Sequence, residues 1–327
     1  MFEDSKIAIV GATGLVGSHI LKIMGEEKLI PNELGLFASQ RSRGRIINFN
    51  GVNYRVQTLS PDAIRGFDLA FFAAGSVVSS QWAPVFAELG TIVIDKSSAW
   101  RADPNCPLVV PQVNGHKLGS IPKGIVSSPN CSTIGFVLAI KPVIDAFGIP
   151  KHIFVATYQS VSGAGYQAIE NLREQRISRE ISPFGFFDNV IPGIGAIDDD
   201  GFFLEETKLI YESRRILGIE DLLLSVTAVR VPIEVGHSET ITAVFDKPVD
   251  IDLAARALDN APCVEFIQNG FPTPVKATGI DNVLVGRLRL NPDNPLYLNL
   301  FISFDNLRRG AATNALDIAI ECFENMD

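Results

Sequence analysis

Residues 6–17 constrain the fold more than any other stretch of the chain. The short apolar run Lys6-Ile7-Ala8-Ile9-Val10 leads into Gly11-Ala12-Thr13-Gly14-Leu15-Val16-Gly17, and a helical pattern continues through Ser18-His19-Ile20-Leu21-Lys22-Ile23-Met24. Glycines at this spacing let a chain leave a strand, turn tightly and enter a helix whose first amides approach a pyrophosphate. Glycines also close turns with no ligand involved, so the strand before and the helix after carry the inference. On this pattern Gly11, Thr13, Gly14, Leu15, Val16 and Gly17 are expected to hold a dinucleotide. Further strands are expected at 34–39, 54–59, 68–74 and 91–95, with a helix over about 78–89. Strands alternating with helices predict a doubly wound, Rossmann-type parallel sheet (α/β) over residues 1–130.

The end of the second strand reports on the adenosine ribose. An Asp or Glu there reads a free 2′-hydroxyl, whereas this chain has Ser39-Gln40-Arg41-Ser42-Arg43. Ser39, Arg41 and Ser42 suit a 2′-phosphate and hence NADP. A solvated basic loop is the alternative.

Beyond residue 130 the pattern changes. Strand candidates at 153–158, 223–231, 239–245, 283–290 and 297–304 include period-2 alternation, as in Thr240-Ile241-Thr242-Ala243-Val244, expected where one sheet face is packed and the other freer. Helical patterns near 164–177, 205–217 and 252–259 intervene. Residues 131–306 therefore read as a second, α+β domain on a mainly antiparallel sheet. A last helix, 307–327, is expected to return to the first domain.

Of 327 residues 46% are hydrophobic and 20% charged, and the formal charge is −9. That balance argues against nucleic acid or an anionic membrane as partner, so an anionic ligand needs a local cluster of Arg and Lys. The polar start Met1-Phe2-Glu3-Asp4-Ser5-Lys6 is unlike a signal peptide, and no apolar run approaches the ~18 residues of a membrane span. Four scattered cysteines, with no C-x-x-C spacing, argue against a metal site and for reduced thiols in the cytoplasm.

Cys131 stands apart from the other three. It lies in Ser128-Pro129-Asn130-Cys131-Ser132-Thr133, where Asn130 suits a helix cap and an apolar run of helical length follows. A thiol in a first helical turn gains thiolate character from unpaired amides and the helix dipole, and suits acyl transfer. A buried structural cysteine is the alternative. Such chemistry needs an acid or base. His19 lies in the first helix, His116 in a polar loop and His152 at a strand entry, whereas His237 follows Arg230-Val231-Pro232-Ile233-Glu234-Val235-Gly236. Arg230 and His237 flanking one turn suit a carboxylate clamp and a general acid/base; a turn with a satisfied histidine is the rival. Glu205 and Lys208, three apart, share a helix face, either as part of a site or as an exposed ion pair.

With Ala38-Ser39-Gln40-Arg41-Ser42, Asp95-Lys96-Ser97-Ser98-Ala99-Trp100-Arg101, Tyr158-Gln159-Ser160-Val161-Ser162-Gly163-Ala164-Gly165, Gly236-His237-Ser238 and Asp305-Asn306-Leu307-Arg308-Arg309-Gly310, these segments match in order nearly end to end. The chain resembles the bacterial aspartate-semialdehyde dehydrogenase family. The resemblance implies reversible, NADPH-dependent reductive dephosphorylation of L-4-aspartyl phosphate to L-aspartate 4-semialdehyde through a cysteine thioester. It implies Cys131 as nucleophile, His237 as proton shuttle and Gln159 orienting the thioacyl group. Arg230 would clamp the substrate carboxylate, Glu205 its ammonium, and Arg101, Lys208 and Asn130 the phosphate. Ser162, Gly163 and Asn306 fall where the family contacts the nicotinamide half of NADP, although Phe304 is bulkier than the family's residue at that place. A homodimer is also implied, in a pathway feeding lysine and diaminopimelate, methionine, threonine and isoleucine synthesis. Two alternatives stand beside this reading: an N-acetyl-gamma-glutamyl-phosphate reductase, and an NADP-binding paralogue without turnover.

Overall fold

The computed structural model describes residues 2–324. The chain divides into two compact units, Met1–Pro129 with Ala311–Asp327, and Asn130–Gly310.

In the first unit, β1 (Lys6–Val10), β2 (Glu33–Phe37), β5 (Leu69–Phe72), β6 (Ile92–Asp95) and β7 (Ile125–Ser127) form a parallel sheet in the order β2-β1-β5-β6-β7. The chain adds β2 on one side of β1 and β5 on the other, which opens a crevice at the carboxyl ends of β1 and β5. Alternate residues of β1 feed two cores. Ile7 and Ile9 pack with Ile20 and Met24 of α1 (Leu15–Glu26) and with Leu316 and Ala319 near the chain end. Ala8 and Val10 face the cluster containing Phe86 of α2 (Ser76–Glu88). Burying both faces explains why these strands are nearly all apolar.

The strand expected at 54–59 forms differently. Val52–Arg55 (β4) pairs antiparallel with Ile46–Phe49 (β3) in a separate hairpin, and beyond it only Gln57 bridges to Phe37. Asn50 and Gly51, at φ 49° and 81°, make the two-residue turn that such a hairpin needs. The short α3 (Pro111–Asn114) precedes β7, and the chain leaves this unit after Pro129; it returns through α9 (Asn314–Glu324), preceded by a π-helical stretch over Arg308–Thr313.

The second unit holds a six-stranded sheet in the order β11-β12-β13-β10-β8-β9. Its strands are β8 (His152–Gln159), β9 (Leu224–Arg230), β10 (His237–Val244), β11 (Val264–Ile267), β12 (Val283–Asn291) and β13 (Asn294–Phe304). The β8/β9 and β11/β12 pairs are parallel and the other three antiparallel. Helices α4 (Cys131–Phe147), α6 (Leu204–Leu217) and α7 (Ile251–Asp259) pack on it, while α5 (Tyr166–Ser178) and the short α8 (Pro274–Ala277) lie in its connections. Along β8, Ile153, Val155, Thr157 and Gln159 are buried while Phe154 and Tyr158 remain exposed, the alternation of a sheet packed on one face. Among the described residues no helix is long and apolar enough to cross a membrane.

Candidate active site

The glycine loop of the first unit is shaped by its own backbone. Gly11 turns at φ +92°, and a Cβ there would lie 2.6 Å from the Ala73 carbonyl oxygen. A Cβ on Gly17 would lie 2.3 Å from the Gly11 carbonyl oxygen, so the loop closes only around bare α-carbons. Thr13 Oγ1 lies 3.2 Å from Ser42 Oγ, which ties the loop to the turn after β2. A cleft of about 540 Å³ opens here, lined by Gly11, Thr13, Gly14, Ser39, Gln40 and Trp82 among others. Ser39 and Arg41 are exposed, Ser42 is half-buried, and no carboxylate occurs between Phe37 and Arg45. Glycines that a side chain would block, beside a turn with cations and no acid, fit a dinucleotide carrying a 2′-phosphate. Leu15 and Val16 open α1 directly after this loop. Arg101 is buried in the same unit, where its Nη2 donates to the Lys96 carbonyl at 2.7 Å.

The second unit gathers the other predicted residues, and sheet register explains how. Gln159 pairs with Arg230 across β8/β9, and Tyr158 with Ser238 across β8/β10. The end of β8, the end of β9 and the start of the antiparallel β10 therefore lie along one sheet edge, carrying Gln159, Arg230 and His237.

Cys131 is the first residue of α4. Asn130 caps that helix, its side-chain oxygen accepting from the Ser132 N–H at 2.9 Å. The Asn130 Nδ2 donates to Glu205 Oε1 at 2.8 Å, and its backbone N–H to Glu212 Oε2 at 2.6 Å. Lys208 Nζ lies 3.3 Å from the other Glu205 oxygen. Glu205, Lys208 and Glu212 occupy one face of α6, as their spacing requires. Glu206 is turned elsewhere: its carboxylate accepts from the N–H groups of Phe203 and Ala228 at 2.8 and 2.9 Å, joining the start of α6 to β9. That separates two neighbouring acids that sequence leaves interchangeable.

Arg230 is buried, and its Nη1 donates to the Ser160 carbonyl at 2.6 Å. Burial pulls its guanidinium below the ordinary value, while Cys131 and Glu205 act on it in the opposite direction; thiol, carboxylate and guanidinium share one electrostatic neighbourhood. His237 is fully buried, with Nδ1 3.1 Å from both the Ser160 amide nitrogen and Ser160 Oγ. Burial first, then the charge of Arg230, hold the imidazole down to about 3, against a smaller pull from the Gly236 backbone. The ring is therefore neutral near pH 7.

Two glycines keep the site open. A Cβ on Gly163 would lie 3.0 Å from Arg230 Nη1 and 3.3 Å from His237 Nε2, and one on Gly310 2.9 Å from Cys131 Cβ. Gln159 is buried, its Nε2 3.3 Å from Thr157 Oγ1. Asn306 is also buried; its Oδ1 accepts from the Gly236 N–H at 2.9 Å, and its Nδ2 donates to Ser162 Oγ at 2.9 Å. The bulk of Phe304 is taken up by Gly135 of α4, where a Cβ would lie 2.3 Å from the ring, and the ring meets His237 edge-on at 5.8 Å.

Sequence reasoning missed Ser160, Glu212 and Gly310. Glu212, seven residues from Glu205, was open to detection by helical spacing. The partners of Ser160 and Gly310 lie far along the chain and leave no local signal. A fourth omission is Glu239, on β10: fully buried, neither carboxyl oxygen with a hydrogen-bond partner among the described residues.

The chain is similar to known proteins over nearly its whole length. Residues 6–121 match the family model described as semialdehyde dehydrogenase, NAD binding domain, and residues 140–309 that described as semialdehyde dehydrogenase, dimerisation domain. The aspartate-semialdehyde dehydrogenase of Aquifex aeolicus is 43% identical over 329 residues, covering 96% of each chain. That of Corynebacterium glutamicum is 40% identical over 341 residues, covering 96% of this chain and 98% of its own. Among solved structures, aspartate semialdehyde dehydrogenase II from Vibrio cholerae superposes with a TM-score of 0.94 at 38% identity, over 98% of this chain and 99% of its own. The same enzyme complexed with ASA gives 0.93 at 37% identity, over 98% of each.

Proposed function

The chain belongs to the aspartate-semialdehyde dehydrogenase family, and from that premise we propose that it reduces L-4-aspartyl phosphate to L-aspartate 4-semialdehyde and phosphate, reversibly, with NADPH. One observation carries the reading: Cys131 opens a capped helix in the electrostatic reach of Arg230, which Ser160 joins to His237.

NADP would be held by the Gly11–Gly17 loop, with Ser39, Arg41 and Ser42 recognising its 2′-phosphate, and Ser162 and Gly163 would serve its nicotinamide half. When bound, the cofactor supplies hydride to the acyl carbon, or takes it up in the reverse direction. The chain's own residues do the rest. Amides of the first turn of α4 and the Arg230 charge favour the Cys131 thiolate. That sulfur bonds to the acyl carbon as the carbon–oxygen bond to phosphate breaks, and phosphate leaves. Arg101, Lys208 and Asn130 hold the phosphate, Arg230 the substrate carboxylate and Glu205 the ammonium. Gln159 orients the thioacyl group, and His237 is the proton-handling residue beside it. Asn306 acts one step removed, through Ser162 and Gly236. An N-acetylated glutamyl substrate has no ammonium for Glu205, and relatives over nearly the whole chain carry the aspartyl name.

The proposal includes a cytoplasmic homodimer, the second copy packing on the sheet face that exposes Phe154 and Tyr158. Replacing Phe154 by Asp is expected to yield monomers in sedimentation velocity; an unchanged sedimentation coefficient would remove that face from the interface. The activity is tested by phosphate-dependent NADPH formation from aspartate semialdehyde. Cys131→Ala is expected to lose about 10⁴-fold or more, and substantial turnover by this variant overturns the covalent route.

A further inference from the structure

Nδ1 of His237 faces two groups of a single residue, an amide and a hydroxyl. The Ser160 amide nitrogen lies 3.1 Å away, and Ser160 Oγ lies 3.1 Å away as well. A backbone amide has only a hydrogen to give, so Nδ1 presents its lone pair. A neutral imidazole carries one N–H, which then belongs to Nε2.

The surroundings of Nδ1 hold this arrangement in place. Ser160 Oγ is 3.0 Å from Ser162 Oγ and 3.1 Å from Asn306 Oδ1. Asn306 Oδ1 already accepts the Gly236 N–H at 2.9 Å and lies 3.2 Å from Ser162 Oγ, while its Nδ2 donates to Ser162 at 2.9 Å. The Ser160 hydroxyl thus stands between Nδ1, Ser162 and Asn306, and the Ser160 amide is the contact that fixes the lone pair of Nδ1. The other side of the ring differs: Nε2 is buried with no hydrogen-bond partner among the described residues. It faces the bare side of Gly163, where Arg230 Nη1 also points.

We propose that Ser160 is a positioning residue that sets the tautomer of His237, directing its amide and hydroxyl at Nδ1 so that Nε2 starts with the proton. His237 then meets the acyl group as a hydrogen-bond donor to its oxygen. A proton is accepted at Nε2 only after one has been given up there. Burial and the Arg230 charge, which disfavour an imidazolium, act in the same sense. The consequence for catalysis rests on the thioester reading above; the tautomer does not.

The experiment is long-range ¹H–¹⁵N NMR of the full chain with ¹⁵N-labelled histidine near neutral pH. His237→Gln assigns the His237 resonances by their loss. The expected pattern is an unprotonated Nδ1 and a protonated Nε2. A proton on Nδ1, shared with the Gly236 carbonyl, or protons on both nitrogens, overturns the proposal. Ser160→Ala keeps the amide and removes the hydroxyl. It is expected to retain the tautomer, move the Nδ1 resonance, and lower kcat about three- to tenfold with KM within about twofold. An unmoved Nδ1 resonance overturns the role of the hydroxyl. The expected tautomer in a protein that fails to turn over aspartate semialdehyde refutes the functional reading alone.

Discussion

Two glycines, one in each unit, do the same steric work by different routes. Gly17 leaves room for the carbonyl of Gly11 six residues earlier; Gly310 leaves room for Cys131, on the far side of the second unit's sequence. The first contact is local, and strand, loop and helix form it together as the chain turns. The second exists only once β10, β13 and α4 are in register. A nucleotide loop built locally survives as a motif, whereas the surroundings of Cys131, built over long range, leave single residues with no visible pattern.

The comparison breaks most readily at Gly310. Gly310→Ala puts a methyl against Cys131 Cβ, and displacing a nucleophile by about 1 Å costs on the order of 100-fold in kcat. NADPH affinity, measured by fluorescence titration, is expected to stay within about twofold; a parallel loss of affinity would mean the two glycine contacts are not separable. Gly17→Ala should do the converse. Overpacking of about 1–3 kcal/mol should weaken NADPH binding about ten- to a hundredfold, and near-normal binding would show that the loop does not depend on that contact. Arg41→Ala sharpens the local side further. Loss of one exposed cation–phosphate contact is expected to raise the KM for NADPH about tenfold and leave that for NADH unchanged. Equal effects on both would take Arg41 away from the 2′-phosphate.

The smallest effect concerns Glu239. Burial, with Glu205 adding to it, holds this carboxyl well above the usual carboxylate range. A group raised in the folded state lends stability that is complete below its unfolded value near 4.5 and is lost as pH rises toward the folded value. Glu239→Gln has no such proton to lose. Its urea midpoint relative to the parent should therefore improve between about pH 5 and pH 8, by about 1 kcal/mol or more in stability. A difference independent of pH would mean that Glu239 titrates normally.

Much of the fold was legible because its signals are local. The apolar strands of the parallel sheet, the glycine spacing before α1 and the Asn130 cap before α4 each lie within a few residues of what they determine. The strand expected at 54–59 was misplaced because Asn50-Gly51 closes a hairpin that a reading of hydrophobicity passes over. In the candidate site of the second unit, residue type marked Cys131, Arg230 and His237. What sequence withheld was the partner of each, because that is decided by register: Ser160 meets His237 only because β8 and β10 run antiparallel side by side. Glu205 and Glu206 show the same limit at its narrowest, adjacent acids told apart only by which way a helix turns.

The last helix carries a further consequence, for the order in which the protein is made. One face of the parallel sheet packs Ile7, Ile9, Leu36 and Phe71 with Ala315, Leu316, Ile318 and Ala319 of α9, so a chain emerging from the ribosome exposes that face until residues past 311 arrive. The intervening unit has its own strands and helices and need not wait. Synthesis thus yields the portion bearing Cys131 before the portion that binds the nucleotide is sealed. A truncated product keeps the thiol while showing chaperones and proteases an uncovered apolar sheet.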